Sequence, residues 1–520
     1  MSSLSNEIQQ DNDELNKLLE EAVHYVRSSA KSGVAAHHVE KRVFDYALKL
    51  GRELLGAFFH AQGDGDVGEQ LILPDQAVKK LEKRKRMYRS LLGDFVLNRY
   101  VYGTREGQAI VCVPLDTRLQ LPEEESSYPL QEVMHLLVTE VSYITARGIL
   151  EKMLKLNVTV DSMEHINRHS GEVVATFREA QAAPVAETEG KIVAISADGK
   201  GVPICHPKDA ARICDQQSKR GPKPDRKRMA VVGAAYTIDP YVRTPDEVLE
   251  ALFCDPNVMT DQDKPKRPPP QNKRVVAHLS QGTGEEEIKA SALTFTWLSQ
   301  QIKERHLEQE KAAAKQKSSV EPKVHIALID GQPSLWEKVD QLKKECPVHT
   351  WVEILDLMHA NSYLWEAAAV FHPGDSKQQL VFMKDRVLRL LQGKVGLVIS
   401  GLRQMATKQK IKKSGCTIIK KVCRYFSNNH NRMKYDEYLA AGYSIATGVI
   451  EGACRHFVKD RMERAGMRWT IKGAQAMLNM RSVNLNGDFE EFNQYRIQEQ
   501  TKKIHPHTAT IGVIAWPVAA

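Results

Sequence analysis

Three carboxylates, far apart in the chain, have the setting that metal-assisted chemistry needs. The apolar run IVAISA (192–197) leads into Asp198-Gly199, and VHIALI (324–329) leads into Asp330-Gly331. Short apolar runs of this kind read as buried strands, and side chains at the carboxyl ends of strands in an α/β sheet share one crevice. Asp-Gly is also a common turn pair, so neither position is diagnostic alone. Glu451 belongs to TGVIEGACRHFVKDRMERAGMRW (447–469), which reads as a helix starting near Thr447, with Arg455 and Lys459 at i+4 and i+8. Two aspartates and a glutamate are the hard oxygen donors that Mg²⁺ takes, with positions left for water and phosphate. Two such ions about 3.5–4 Å apart activate an attacking oxygen and stabilise a leaving one. The local alternative is that Glu451 favours its helix N-terminus and pairs with Arg455.

The elements that must position these groups alternate between strand and helix. IVAISA and MAVVGAAYTI (229–238) read as strands, 255–274 as a Pro-rich loop, about 284–316 as a long polar helix, and VHIALI as a strand. WVEIL (351–355) is a further strand leading into Asp356 and His359, where Asp356 can cap the next helix and His359 packs in its first turn. From 376 to about 440 the pattern is helical and basic. Strands separated by helices predict an α/β sheet.

Upstream, 8–60 is helical, and Gly63 and Gly65 end the pattern. A basic helix is expected over 79–89, then a β-hairpin in FVLNRYVYGTREGQAIVCVPLD (95–116). Residues 131–154 read as one helix, followed by a short turn and a helix capped by Asp161, the outline of a helix-turn-helix. The tail after about 485 receives no assignment.

Composition narrows the class. Of 520 residues, 42% are hydrophobic and 27% charged, which excludes a disordered chain. No run of 18 apolar residues predicts a membrane span, and the polar N-terminus lacks the apolar region of a secretory signal, so the cytosol is the expected location. The eight cysteines form no C-x-x-C pair and are read as buried thiols. Net charge is +8, yet 401–470 alone carries 15 Lys/Arg against 5 Asp/Glu, leaving the rest at −2. Such a concentrated basic segment suits a polyanion, nucleic acid first; a solvated helix face is the alternative.

Five blocks together carry a family resemblance: SADGKGVP (196–203), RKRMAVVGAAYTIDPYVRTPDEVLEALF (226–253), ALIDGQPSLW (327–336), EILDLMHANSYLW (353–365) and GVIEGACRHFVKDRMERAGMRW (448–469). Over roughly 190–480, and more loosely from 130, the chain resembles bacterial insertion-sequence DDE transposases, most closely the ISKra group, related to Mutator-like transposases. The resemblance implies an α/β RNase H-like core with an all-α insertion, preceded by a mainly helical DNA-binding region with a helix-turn-helix and one β-hairpin. The corresponding segments are 1–125, 126–188, 189–360, 361–440 (the basic helical insertion), 441–485 and the tail 486–520.

It further implies Asp198, Asp330 and Glu451 as the catalytic, metal-binding triad for two Mg²⁺ ions, with Mn²⁺ as a substitute. Asp356 and His359 match a C/D-x-x-H signature and are auxiliary candidates beside their structural reading. Some relatives resemble zinc-ribbon proteins in the N-terminal region, with paired cysteines, whereas Cys112 is the only cysteine in that region here, so no zinc is expected. The implied partner is double-stranded DNA, at element ends and target, held by a homo-oligomer of at least two copies. Expected phosphate contacts are Lys219, Arg220, Lys223, Arg226, Lys227, Arg228, Lys412, Lys413, Lys420, Lys421, Arg424, Arg455 and Lys459. Trp469 either stacks on an unpaired base or belongs to the core. The rival functions are a metal-dependent nuclease without strand transfer and a domesticated, non-catalytic DNA-binding protein.

Overall fold

A computed structural model describes residues 2–104, 110–205, 227–253, 267–282, 287–317, 323–347, 349–464, 467–512 and 514. It divides into two compact units, Met1–Glu179 with Gly487–Ala520, and Ala180–Asn486.

The first unit begins with two helices, α1 (Ser2–Ser32) and α2 (Ala36–Ala61), joined through Gly33 at φ +68. The strands β1 (Gln70–Ile72), β2 (Ala77–Ser90), β3 (Gly93–Gly103) and β4 (Ile110–Cys112) then form an antiparallel sheet in sequence order. The basic helix expected over 79–89 is therefore a strand. Cross-strand packing overrides the helix propensity of its Lys and Arg residues. Tyr88 lies opposite Phe95, and both pack edge-on to Phe59 of α2 at 5.2 and 5.3 Å. The expected hairpin is the β3–β4 pair.

After α3 (Pro114–Arg118), the helix expected over 131–154 is two, α4 (Tyr128–Glu140) and α5 (Tyr143–Leu154). Ser142 separates them because its Oγ accepts from Thr145 N at 3.1 Å, starting a new helix. Lys155 ends α5 in the left-handed region, and α6 (Val160–Ala180) follows. Its cap is Thr159, whose hydroxyl accepts from Ser162 N at 3.1 Å; Asp161 lies inside the first turn and does not cap.

The second unit is built on β5 (Ile192–Pro203), β6 (Lys227–Ile238), α7 (Pro245–Phe253), β7 (Gln271–Leu279), α8 (Ala290–Gln316), β8 (Val324–Ile329), α9 (Pro333–Glu345) and β9 (Thr350–Leu355). The sheet order is β7-β6-β5-β8-β9; β5, β6 and β7 pair antiparallel, while β5, β8 and β9 run parallel. Two sequence expectations change here. β5 does not stop at Asp198: its antiparallel partner β6 continues the ladder to Pro203, although the parallel partner β8 ends level with Ala197. The expected loop at 255–274 gives way at Gln271 to β7, whose apolar end VVAHL covers the edge of β6.

Period-two alternation splits the sheet's side chains between two cores. Ile195, Ala197, Ala327 and Ile329 pack with α8 and α9 on one face. Ile192, Ala194, Ile326, Leu328 and Ile354 pack on the other against α10 (Leu357–Phe371), α11 (Ser376–Leu391), α12 (Val395–Lys408), α13 (Lys413–Asn428) and α14 (Tyr435–Ala440). The helix carrying Glu451 is short, α15 (Gly448–Cys454), and continues as a π-turn, Arg455–Lys459. α16 (Ile471–Asn486) lies along β7, where Asn486 Oδ1 accepts from Val275 N at 2.8 Å.

The unassigned tail is helical, α17 (Phe489–Ile504) and α18 (Thr508–Gly512), and belongs to the first unit. Phe492 packs on Phe177, and the buried Arg496 donates to Gln131 Oε1 at 2.6 Å. The fold class is thus mixed α/β, with two sheets and extensive helix. Among the described residues, no helix is long and apolar enough to cross a membrane.

Candidate metal centre at the carboxyl end of the sheet

The strand register lines up three aspartates. Ala197 pairs with Ile329, and Ile329 with Leu355, so the next residues on three neighbouring parallel strands are Asp198, Asp330 and Asp356. Adjacent strands lie about 4.8 Å apart. All three residues continue the parity of Ala194, Leu328 and Ile354, which is the face covered by the inserted helices. α15 packs on β5 and β6 and adds Glu451.

Each side chain has a distinct environment. Asp198 accepts from Gly199 N at 2.7 Å, and its Oδ2 faces the buried Cys454 thiol at 3.3 Å. Asp330 accepts from Gln332 N at 2.9 Å. Burial pushes its carboxyl above the ordinary value, the Gln332 N–H works against this, and the charge of Asp198 reinforces it. The following Gly331 sits at φ +92, and a Cβ there would approach the Tyr425 ring to 2.8 Å. That close approach lets the Tyr425 hydroxyl donate to the Asp330 carbonyl at 2.6 Å. Glu451 is also pushed up, first by burial and then by the charge of Asp356.

Asp356 is fully buried and caps α10, its Oδ1 accepting from Met358 N at 2.9 Å. Its Oδ2 accepts from the Thr447 hydroxyl and meets His359 Nδ1 at 3.1 Å. That bond to Asp356 raises the His359 pKa and leaves Nε2 as the open nitrogen. The capping reading of Asp356 therefore holds, and so does proximity to the site. Ligand atoms of Asp356, His359 and Glu451 lie within 4.8 Å of one another, close enough together to share a metal ion. The family resemblance implies Asp198, Asp330 and Glu451. The fold sets Asp198 and Asp330 level with Asp356 and groups Glu451 with Asp356 and His359. Thr447, Tyr425 and Cys454 escaped sequence reasoning; only Cys454, three residues after Glu451 on one helix, carried a signal.

A cleft of about 950 Å³ opens from Asp330 and His359 along α13, lined by Lys420, Lys421, Arg424, Tyr425 and Arg432 and on its other side by Glu337 and Asp340; Arg432 is paired with Glu353 at 2.6 Å. Lys420 and Arg424 are exposed there, as are Lys412 and Lys413 at the helix start. Lys421 bonds Glu366 at 2.8 Å and sits 4.9 Å from the Tyr363 ring, which stacks on Tyr425. Other expected phosphate contacts have acidic partners: Lys227 with Glu463 at 2.7 Å, Arg228 with Glu287 at 2.6 Å, and Arg455 with Asp460 at 3.4 Å rather than with Glu451. Lys459 is exposed. Lys219, Arg220, Lys223 and Arg226 lie outside the described residues. Trp469 is core: it is buried, and its indole N–H donates to Met462 O at 3.2 Å. Of the cysteines expected to be buried, Cys205 is exposed and Cys416 half-buried, while Cys214 and Cys254 lie outside the described residues.

No protein-family model matches this sequence, and no curated protein matches it.

Proposed function

We propose that this chain is a DDE-type DNA transposase with an RNase H-like core. It would cleave phosphodiesters at the ends of its element and join the 3′-hydroxyls to target DNA. The observation that carries this reading is the row Asp198, Asp330, Asp356 across three parallel strands, joined by Glu451 and opening into a cleft in which Lys420 and Arg424 are exposed. The strands and flanking helices of the second unit accommodate such a core, and α10 to α14 occupy the interval of the expected helical insertion.

The donor set suits a hard divalent cation. Like-charged carboxylates, one of them largely withdrawn from water, hold their protons more tightly than usual and are relieved by a positive ion. Asp198, Asp330 and Glu451 would hold Mg²⁺, or Mn²⁺ in its place, with Asp356 and His359 adjoining Glu451. Bound metal supplies Lewis acidity to the attacking and leaving oxygens. The chain's own residues do the rest. Lys420 and Arg424 attract the phosphate backbone along the cleft, Tyr425 fixes the backbone at Asp330, and Asp356 orients His359.

The test uses donor DNA with a pre-cut 3′ end and Mg²⁺. Asp198→Asn, Asp330→Asn and Glu451→Gln should each lower cleavage and strand transfer by at least about 10³-fold, because the carboxylates act as one unit. DNA binding should survive. Cleavage without joining would favour a nuclease, and DNA binding without either would favour a non-catalytic binding protein.

A further inference from the structure

The α1–α2 hairpin buries one seam and leaves a second apolar face uncovered. Leu15, Leu18, Ala22, Tyr25 and Ser29 line its seam at spacings of three and four, and Tyr25 meets Tyr46 of α2 with ring centroids 6.1 Å apart. The residues one position further along, Leu19, Val23 and Val26, are 41–50% exposed, followed by exposed Ala30. On α2 the same offset from Arg42, Tyr46, Glu53 and Ala57 gives Val43, Ala47, Leu54 and Phe58, the three large ones 43–56% exposed. In an antiparallel helix pair, the position following each seam residue turns to the same side on both helices. The two stripes therefore form one largely apolar face, with Gly51 between Ala47 and Leu54 and a single exposed charge, Glu40, near the start of α2, on helices whose other exposed positions are mostly polar.

We propose that this face is the interface with a second copy of the chain, two hairpins packing about a two-fold axis as a four-helix bundle. Heptad-like spacing along both helices is the pattern such bundles bury. A two-fold contact sets each stripe against another of equal length and chemistry. Area favours the same occupant. Six large side chains at roughly 80 Å² each offer on the order of 500 Å² per copy, or about 1,000 Å² across the contact, the threshold for a specific interface. Absence of charge from the middle of the face matches the core of a protein interface. The opposite side of α2 is already taken, with Leu55 and Phe59 packed against Phe95 and Leu97. This inference does not depend on the proposed chemistry.

Sedimentation equilibrium of the full chain tests it. The wild type should be dimeric at low micromolar concentration. Val23→Glu/Leu54→Glu should weaken association by at least 100-fold, while Ile72→Glu, an exposed change elsewhere in the first unit, should leave the dimer intact. Because both substituted side chains project from the outer face of the hairpin, circular dichroism should show unchanged helical content, with the melt lowered only as far as loss of the dimer requires. The milder Val23→Ser/Leu54→Ser pair repeats the test if the charged variant loses structure. A wild type that stays monomeric to 100 μM overturns the proposal. So does a folded face variant that remains dimeric, or an Ile72→Glu protein that dissociates equally.

Discussion

Two basic segments look alike in sequence and differ in the fold. Along β2, Lys80 meets Asp66 and Glu69, Lys83 meets Asp64, and Arg89 meets Glu125. Arg86, together with Arg99 of β3, grips the buried Asp116 at 2.9 and 2.7 Å. Along α13, Lys420 and Arg424 instead project into the cleft that begins at Asp330. The first segment spends its charge on holding a small sheet together, and the second presents it to solvent beside carboxylates. A count of Lys and Arg cannot separate these cases, because acidic partners arrive from distant parts of the chain.

The contrast is broken most directly at Asp116. Asp116→Ala strands two largely buried guanidinium groups, and removing one member of such a cluster costs roughly 3–5 kcal/mol. Urea unfolding should show a loss of that size, and a loss below about 1 kcal/mol would mean that the arginines are hydrated or re-paired. The matching change on α13, Lys420→Ala/Arg424→Ala, should act on DNA instead. With each phosphate contact worth about 0.9 in the slope of log K against log salt, that slope should flatten by about 2. Lys80→Ala/Lys83→Ala in β2 should leave it unchanged. Equal flattening by both pairs would erase the distinction.

The smallest expected effect compares charge with stability at the site itself. Burial holds the Asp330 pKa above its unfolded value, so its ionisation is unfavourable to the fold. The stability it contributes is present below about pH 4 and lost as pH rises through the folded pKa. Metal-free Asp330→Asn should therefore melt slightly higher than wild type near pH 7, with the difference closing as both approach pH 4. A lower melt for the variant at pH 7 would mean that the carboxylate is held by favourable bonds. His359 has the opposite charge type: its contact with Asp356 is worth most below its unfolded pKa and fades as pH rises through the raised folded value.

Much of the second unit was legible. VHIALI and WVEIL form strands, the apolar IVAISA stretch lies within β5, and the expected basic helical segment forms four of the five helices over one sheet face. The failures have physical causes. The 79–89 run lacks apolar periodicity, so its pairing depends on β3 and on Phe59, neither of which is local. Thr159 rather than Asp161 caps α6 because Thr159 precedes the first helical turn, a one-turn choice that side-chain type alone leaves open. The tail is too polar to announce helices, and its place follows from long-range contacts of Phe492 and Arg496.

By itself, the sequence determined that several apolar runs lead into aspartate and that a carboxylate-bearing helix follows a basic segment. These are local properties, set by periodicity, turn chemistry and composition. Only the tertiary structure decided that Asp198, Asp330 and Asp356 stand level, because register between strands belongs to the sheet, and β5 lies more than a hundred residues before β8 and β9. It also decided which cations remain available, since an ion pair depends on distance in space while a charge run records only order along the chain.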